Sequence, residues 1–313
     1  MERNENINYN FVELSSENIH WFLPLYENAF GHKIDLNQVK KKYFHDWLDK
    51  PYNGLFLLHE LNVVGFIGLC FDIVIFEGRE ELTAKFCDNM IHTAYQRNGA
   101  YFLLMSEMQS YAKNHGVKFG LGFGNEKSTK AVLKYGLWTY YNRMKRFSIH
   151  ISTIPVNKIF RKLGLFNLYL GLIRMYLHKH IIPYRKENFE EYNCVPTIKY
   201  NYDFFLKRSS SEYFLIKLKQ TILWLKVDNF LKVGFIKNPF EEDLPIIFSS
   251  LKSFCRLFGI GEIMMQFSEG SKEELSLKKH FPSHNSWPIL VCNFDSHFPL
   301  DKLQLSLCDT ESF

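Results

Sequence analysis

The sequence predicts an α/β (α+β) fold that occurs twice, each time as a mixed, mostly antiparallel sheet flanked by helices. Three observations predict it: short apolar runs joined by tight turns, helical runs between them, and the same order of elements in the second half. We expect a first domain over residues 1–152, a helical linker over 153–190 and a second domain over 191–313. A chain of 313 residues is long enough for two domains of ordinary size.

The first half begins with two helices, over 17–29 and 36–48, in which aromatic and aliphatic residues recur at helical spacing. A strand meander follows, because apolar runs are separated by tight turns at Leu61-Asn62 and Glu77-Gly78. Its strands are predicted over 55–60, 63–71, 73–76 and 82–91. The order then runs helix, strand, helix and strand, over 101–114, 117–123, 127–134 and 138–151.

The second half repeats this order more faintly. Three strands, a helix, a strand, a helix and a strand are predicted over 213–219, 221–227, 231–237, 241–258, 260–266, 273–279 and 287–294. The strand-to-helix junction at Asn238-Pro239-Phe240-Glu241 contains no glycine and carries acidic residues, which would repel a phosphate. We therefore expect the second half to be a copy of the fold without an anion site.

The composition excludes several classes of protein. With 46% hydrophobic and 23% charged residues the chain is typical of a globular protein, and its net charge of +5 without a dense Lys/Arg run argues against a nucleic-acid binder. Six cysteines without a C-x-x-C pair argue against a zinc ribbon or a disulfide scaffold and favour a reducing compartment. The polar N-terminus lacks the apolar core of a signal peptide, so we expect a cytoplasmic protein.

The segment over 155–185 is basic, apolar and predicted to be helical. Its apolar residues could pack against a domain or rest on an anionic membrane surface, and we favour packing because the segment has little polar face. His178 and His180 lie within it. A His-x-His pair without carboxylate or cysteine neighbours is typical of a solvated surface rather than of a metal site, so we expect no metal.

One turn indicates a ligand. Gln96-Arg97-Asn98-Gly99-Ala100-Tyr101 lies between an apolar strand and an amphipathic helix. A glycine-assisted turn at this junction directs unpaired backbone N–H groups and the positive end of a helix toward one point. Such a point suits a phosphate-bearing ligand.

These residues give the first half a family resemblance. The turn resembles the Gln/Arg-x-x-Gly-x-Gly/Ala signature of the GNAT superfamily of N-acetyltransferases, with Tyr101 in place of the last small residue. The wider pattern is similar to a bacterial subgroup associated with polysaccharide and amino-sugar pathways, through Asp88, Ile91-His92-Thr93, Tyr95-Gln96 and Gly122-Phe123-Gly124-Asn125. Two prolines of that pattern are absent, and one arginine is replaced by Gln96.

The resemblance implies acetyl-CoA as co-substrate and a small-molecule amine as acceptor, with direct attack in a ternary complex. It implies that backbone N–H groups from Gln96 to Tyr101 hold the pyrophosphate and that the pantetheine arm enters a splay beside the strand ending at Ile91. A main-chain N–H of Met90 or Ile91 would face the thioester, and Asn125 would bind the pantetheine arm. The Arg97 side chain either contacts a phosphate or is solvated.

Two residues are candidates for acid–base work. Asp88 is the candidate general base, because a carboxylate on a mostly apolar strand tends to bind a proton more tightly than one in water; its alternative role is to support a turn. His92 is the second candidate, because histidine is a common general acid or base and this one lies next to the expected thioester site; its alternative role is to cap the turn. Tyr135 lies near the region where relatives carry a general acid, and the identity of that acid stays open.

Three functions compete. The first is an N-acetyltransferase acting on an amino sugar or another small amine. The second is a non-catalytic acyl-CoA-binding or scaffold protein, suggested by the departures from the family pattern. The third is a tandem aminoacyltransferase, which we rank last because that group usually lacks the pyrophosphate turn.

Overall fold

The computed structural model describes residues 8–44, 51–124, 126–184, 194–237, 241–310 and 313. The chain forms two compact units. Unit 1 comprises Met1–Val74, Glu80–Tyr140 and Leu290–Phe298, and unit 2 comprises Ile75–Arg79, Tyr141–Ile289 and Pro299–Phe313. Each unit is a mixed, mostly antiparallel sheet flanked by helices, as the sequence predicted.

The described residues of unit 1 form four α-helices and a sheet. The helices are α1 (Phe22–Phe30), α2 (Leu36–Tyr43), α3 (Ala100–Asn114) and α4 (Glu126–Lys134). The strands are β1 (Tyr9–Glu13), β2 (Gly54–His59), β3 (Asn62–Phe76), β4 (Arg79–Ile91) and β5 (Phe119–Gly122). They lie side by side in this order, with β4 and β5 parallel, and Leu290–Asn293 pairs antiparallel with β5.

Unit 2 repeats the pattern around strands further along the chain. Its elements, in order, are β6 (Thr139–His150), α5 (Val156–Lys162), α6 (Phe166–Leu177), β7 (Thr197–Ile198), α7 (Tyr202–Arg208), β8 (Tyr213–Leu218), β9 (Thr221–Val227), β10 (Leu231–Lys237), α8 (Leu244–Phe258), β11 (Glu262–Ser268), α9 (Lys272–Lys278) and β12 (Ser283–Asn293). The meander β8-β9-β10 is antiparallel, β11 runs parallel to β10, and β6 pairs antiparallel with β11.

The units do not follow the chain-order division expected at residues 152 and 190. Residues 141–150 of β6 belong to unit 2, whereas Leu290–Asn293 of β12 belong to unit 1. The segment expected to be a linker also packs into the core of unit 2, through Tyr169, Leu170 and Ile173. The strand that completes each sheet therefore comes from the other half of the sequence.

Most predicted elements are present, with small differences. The two strands predicted within 63–76 form one strand, β3, and α2 ends at Tyr43 because Phe44 has an extended backbone. The continuation of this helix to residue 48 and the junction at 238–240 lie outside the described residues. The strand β1 and the helix α7 were missed. The strand β1 is held by pairing with β2, a contact across about fifty positions that local pattern does not show.

Helices cover both faces of the unit 1 sheet, which places two cores around β4. One core contains Phe22, Val39 and Tyr43 from α1 and α2. The other contains Leu104 and Met108 from α3. No helix among the described residues combines the length and the apolar composition needed to cross a membrane.

Candidate functional site

The strand β4 carries a bulge at Asp88. Side chains of a regular strand alternate between the two faces of the sheet, so Phe86 and Met90 should lie on the same face. Instead, Phe86 packs in the α3 core with Ile91, whereas Cys87 and Met90 both pack in the core of α1 and α2. One extra residue between Cys87 and Met90 explains the reversal, and Asp88 has a φ of 49°. The bulge re-aims the Asp88 side chain out of the regular alternation.

The Asp88 carboxylate is held by two residues of α2. Lys42 Nζ donates to Asp88 Oδ2 at 2.9 Å, and the Tyr43 hydroxyl donates to the same oxygen at 2.7 Å. The Asp88 side chain is 14% exposed, so both contacts are largely shielded from water. Tyr43 is itself fully buried against Gly68, where an added Cβ would lie 2.0 Å from the ring. A glycine at position 68 therefore allows Tyr43 to reach Asp88.

The pairing between β4 and β5 stops early. Thr83, Ala84 and Lys85 pair with Phe119, Gly120 and Leu121 in parallel register. Beyond the last pair β4 continues for six residues to Ile91, whereas β5 continues for one, Gly122. The end of β4 therefore has an edge that extends past its neighbour, at the position where the sequence predicted a splay.

The predicted anion turn leads directly into α3. Arg97 has a φ of 70° and Gly99 a φ of 88°, and both residues are exposed with Asn98 between them. Gly99 is the N-cap of α3 without a side-chain cap, and the first turn of the helix contains no acidic residue. The first backbone N–H groups of this 15-residue helix are therefore available to acceptors outside the helix. The turn before them requires positive φ at Arg97 and Gly99. Ala100 is fully buried and fixes the first turn against the core.

Two buried polar atoms lie beside this helix end. The Asn89 Oδ1 and Tyr101 hydroxyl atoms are buried and have no hydrogen-bond partner among the described residues. Burial raises the pKa of Tyr101 to about 12, and the polar Asn89 side chain nearby lowers this pKa to a smaller extent. The Asn89 side chain is nevertheless outside hydrogen-bond geometry to the Tyr101 hydroxyl. Buried polar groups are nearly always paired in folded proteins. The pair therefore suits a polar ligand next to the end of β4.

Other predicted residues support the turn. His92 Nδ1 accepts from the Ala94 N–H at 3.3 Å, so the imidazole caps the short 3-10 helix over Thr93–Tyr95. Gln96 Nε2 donates to the Ile91 carbonyl at 3.2 Å, which joins the turn to the end of β4. The structure thus gives His92 the capping position that was its alternative role.

Two further residues were predicted for the site, Asn125 and Tyr135. Asn125 is outside the described residues. Tyr135 follows α4, is 50% exposed and packs on the Phe102 ring at 4.9 Å. The roles of Lys42 and Tyr43 were not predicted, because these residues reach Asp88 across 46 and 45 positions of the sequence. The buried state of Asn89 and the Tyr101 hydroxyl was missed for the same reason.

Solved structures with the same fold include two GCN5-related N-acetyltransferases and a probable N-acyltransferase. A GCN5-related N-acetyltransferase from Kribbella flavida superposes with a TM-score of 0.59 at 12% identity, over 90% of this chain and 70% of that one. A conserved protein of unknown function from Enterococcus faecalis V583 gives 0.56 at 8%, over 91% and 72%. A GCN5-related N-acetyltransferase from Anabaena variabilis gives 0.52 at 12%, over 91% and 72%.

No protein-family model matches the chain, and no curated protein matches it in sequence. At these identities the likeness shows the fold. The chain has the tandem fold of GCN5-related N-acetyltransferases, and its function has to be argued from the residues of the site.

Proposed function

We propose that the protein is an acyltransferase that moves an acetyl group from acetyl-CoA to the amine of a small acceptor. The observation that carries the proposal is the uncapped N-terminus of α3, which follows the overhanging end of β4 through the turn at Arg97 and Gly99. This arrangement offers donors for a diphosphate and an unpaired strand edge for an amide-bearing arm in consecutive stretches of chain.

The described residues fit acetyl-CoA. Main-chain N–H groups from Gln96 to Tyr101 would hold the pyrophosphate, and the exposed Arg97 could add a charge-assisted contact. The edge of β4 at Met90 and Ile91 would pair with the pantetheine arm. Among the described residues, the Asn89 Oδ1 atom and the Tyr101 hydroxyl have no hydrogen-bond partner, so both could hydrogen-bond to polar atoms of the ligand. Asn125 as a further pantetheine contact stays a sequence-based hypothesis.

When bound, acetyl-CoA would supply a thioester whose carbonyl carbon accepts the amine. The protein has to orient the acceptor, take its proton and stabilise the oxyanion. We assign proton acceptance to Asp88, which the bulge of β4 turns toward α2, and we assign Lys42 and Tyr43 to positioning its carboxylate. His92 contributes by fixing the turn. The resemblance to the amino-sugar subgroup makes an amino sugar the first acceptor to test.

A matched pair of variants tests the binding site. Asn98→Asp adds a carboxylate just before α3, where it is compatible with the helix dipole but repels a diphosphate. Asn114→Asp makes the same change at the exposed far end of the same helix. In calorimetric titrations we expect Asn98→Asp to weaken CoA at least tenfold, about 1.4 kcal/mol, and Asn114→Asp to bind as the wild type does. Equal affinities for the two variants, or no binding by the wild type, would contradict the proposal.

A non-catalytic acyl-CoA-binding protein is the second candidate. The favouring observation is that the Asp88 carboxylate already accepts hydrogen bonds from the Lys42 ammonium and the Tyr43 hydroxyl, which compete with an acceptor amine for the same oxygen. Release of free CoA thiol from acetyl-CoA, measured over a panel of amino sugars and polyamines, separates the two. Turnover that Asp88→Asn abolishes supports the enzyme, whereas tight CoA binding without turnover supports the second candidate.

A further inference from the structure

The helix α6 has a second apolar face that the described residues leave uncovered. Its inner face is buried in the core of unit 2. A second set of large apolar residues, starting just before the helix, also recurs at helical spacing on another side. These residues are 45–71% exposed: Leu165, Leu168, Leu172, Met175 and Tyr176. They form a continuous stripe, here called the outer stripe, because positions three, four and seven apart share one side of a helix.

The preceding helix exposes further apolar side chains. The helix α5 packs against α6 through Phe160 and Tyr169, whose ring centroids are 5.4 Å apart. It and its flanking residues expose Ile154, Ile159 and Leu163 by 71%, 47% and 64%. Residues 154–176 therefore hold eight of the twenty large apolar side chains that are exposed in the described part of the chain. Such a concentration marks a surface that binds something.

The same segment is basic throughout. Residues 151–184 include five lysines and arginines and two histidines but no aspartate or glutamate. Arg161 and Arg174 are engaged, since Arg161 lies 3.7 Å from Glu212 and Arg174 lies over the Phe214 ring. The exposed lysines Lys158, Lys162 and Lys179 flank the apolar residues. An acidic surface would complement this rim.

We propose that residues 154–179 dock unit 2 on an anionic phospholipid bilayer, with the outer stripe in the boundary between headgroups and acyl chains. A bilayer rich in anionic lipid complements both the apolar stripe and the lysine rim. A second copy of the chain fits less well, because a twofold interface would bring the cations of the two copies together. The sequence favoured packing for this segment because it has little polar face. Packing in the core of unit 2 accounts for the inner face of α6. The side of the helix away from the outer stripe is therefore covered by protein and does not have to be polar.

Vesicle flotation of the full chain tests the proposal. We expect binding to phosphatidylcholine vesicles that contain 30% phosphatidylglycerol, and at least tenfold weaker binding to pure phosphatidylcholine. Leu168→Gln/Leu172→Gln should reduce binding to the anionic vesicles at least tenfold. Leu275→Gln makes the same change at a 52% exposed leucine of α9 and should bind as the wild type does. Lys158→Gln/Lys162→Gln should weaken binding and flatten its dependence on salt.

Several results would overturn the proposal. One is the absence of binding to anionic vesicles, and another is equal loss of binding in the Leu168→Gln/Leu172→Gln and Leu275→Gln variants. A third is sedimentation of the wild type as a dimer that Leu168→Gln/Leu172→Gln dissociates, which would assign the outer stripe to a second copy. Because the test does not involve CoA, its outcome is independent of the proposed acyl transfer.

Discussion

Replacing Tyr101 by phenylalanine should stabilise the protein in the absence of ligand. The Tyr101 hydroxyl is buried without a hydrogen-bond partner among the described residues, and an unsatisfied buried polar group costs about 1–3 kcal/mol. Phenylalanine keeps the ring and removes that cost. Thermal unfolding at pH 7 should therefore show a rise of roughly 2–4 °C per kcal/mol for a unit of this size.

The pH dependence gives a second readout of the same change. The pKa of Tyr101 is raised from 10.0 to about 12 in the folded protein. Between these values the unfolded chain ionises first, so the wild type loses stability as the pH rises above 10. A difference of about two pKa units corresponds to at most roughly 2.7 kcal/mol, and Tyr101→Phe should be spared that loss. Its advantage over the wild type should therefore grow between pH 10 and pH 12.

Tyr111 on the same helix provides the matched control. Its hydroxyl donates to Asn53 Oδ1 at 3.2 Å, so Tyr111→Phe breaks a buried hydrogen bond. We expect it to destabilise the protein by about 0.5–1.5 kcal/mol at pH 7. If Tyr101→Phe were as destabilising as Tyr111→Phe, the Tyr101 hydroxyl would have a partner, and the case for a polar ligand beside α3 would weaken.

Three other predictions concern positions outside α3. Gly68→Ala should cost about 1–3 kcal/mol in urea unfolding, because the new Cβ overlaps the Tyr43 ring; an unchanged midpoint would show that the ring can move freely. Ellman's reagent should modify the exposed Cys194 first and reach Cys255 only on unfolding, since burial raises the pKa of Cys255 to about 12; similar rates would contradict this. Burial raises the pKa of Tyr200 well above 10.0, so the stability that the protein has below pH 10 should fall at higher pH. Ultraviolet titration should show Tyr200 ionising only when the protein unfolds, and ionisation near pH 10 in the folded protein would refute this.

The sequence predicted the periodic elements and missed the long-range contacts. Helices and strands with strong spacing were found because local burial dictates their pattern, and the turn at Gly99 was found because glycine at a strand-to-helix junction has a specific backbone use. The assignment of β6 to unit 2 and of Leu290–Asn293 of β12 to unit 1 was not predictable. Both strands have ordinary strand patterns, and such a pattern does not indicate which strand pairs with it. The contacts of Lys42 and Tyr43 with Asp88 required the tertiary fold for the same reason.

Backbone strain separates the candidate site from the rest of the described chain. Five non-glycine residues there have positive φ: Glu60, Glu77, Asp88, Arg97 and Lys219. Glu60, Glu77 and Lys219 each begin a two-residue hairpin loop, where positive φ matches the twist of the strands and needs no functional reason. Asp88 lies inside a strand and Arg97 in the turn before a helix, so neither has that explanation. Strain of this kind persists where the surrounding structure enforces it. The two cases occur nine residues apart, Asp88 within the overhanging end of β4 and Arg97 in the turn that follows it. The proposed proton acceptor, Asp88, and the proposed diphosphate turn at Arg97 therefore both have strained backbone that no hairpin requires. Such strain is the pattern expected of a preorganised ligand site.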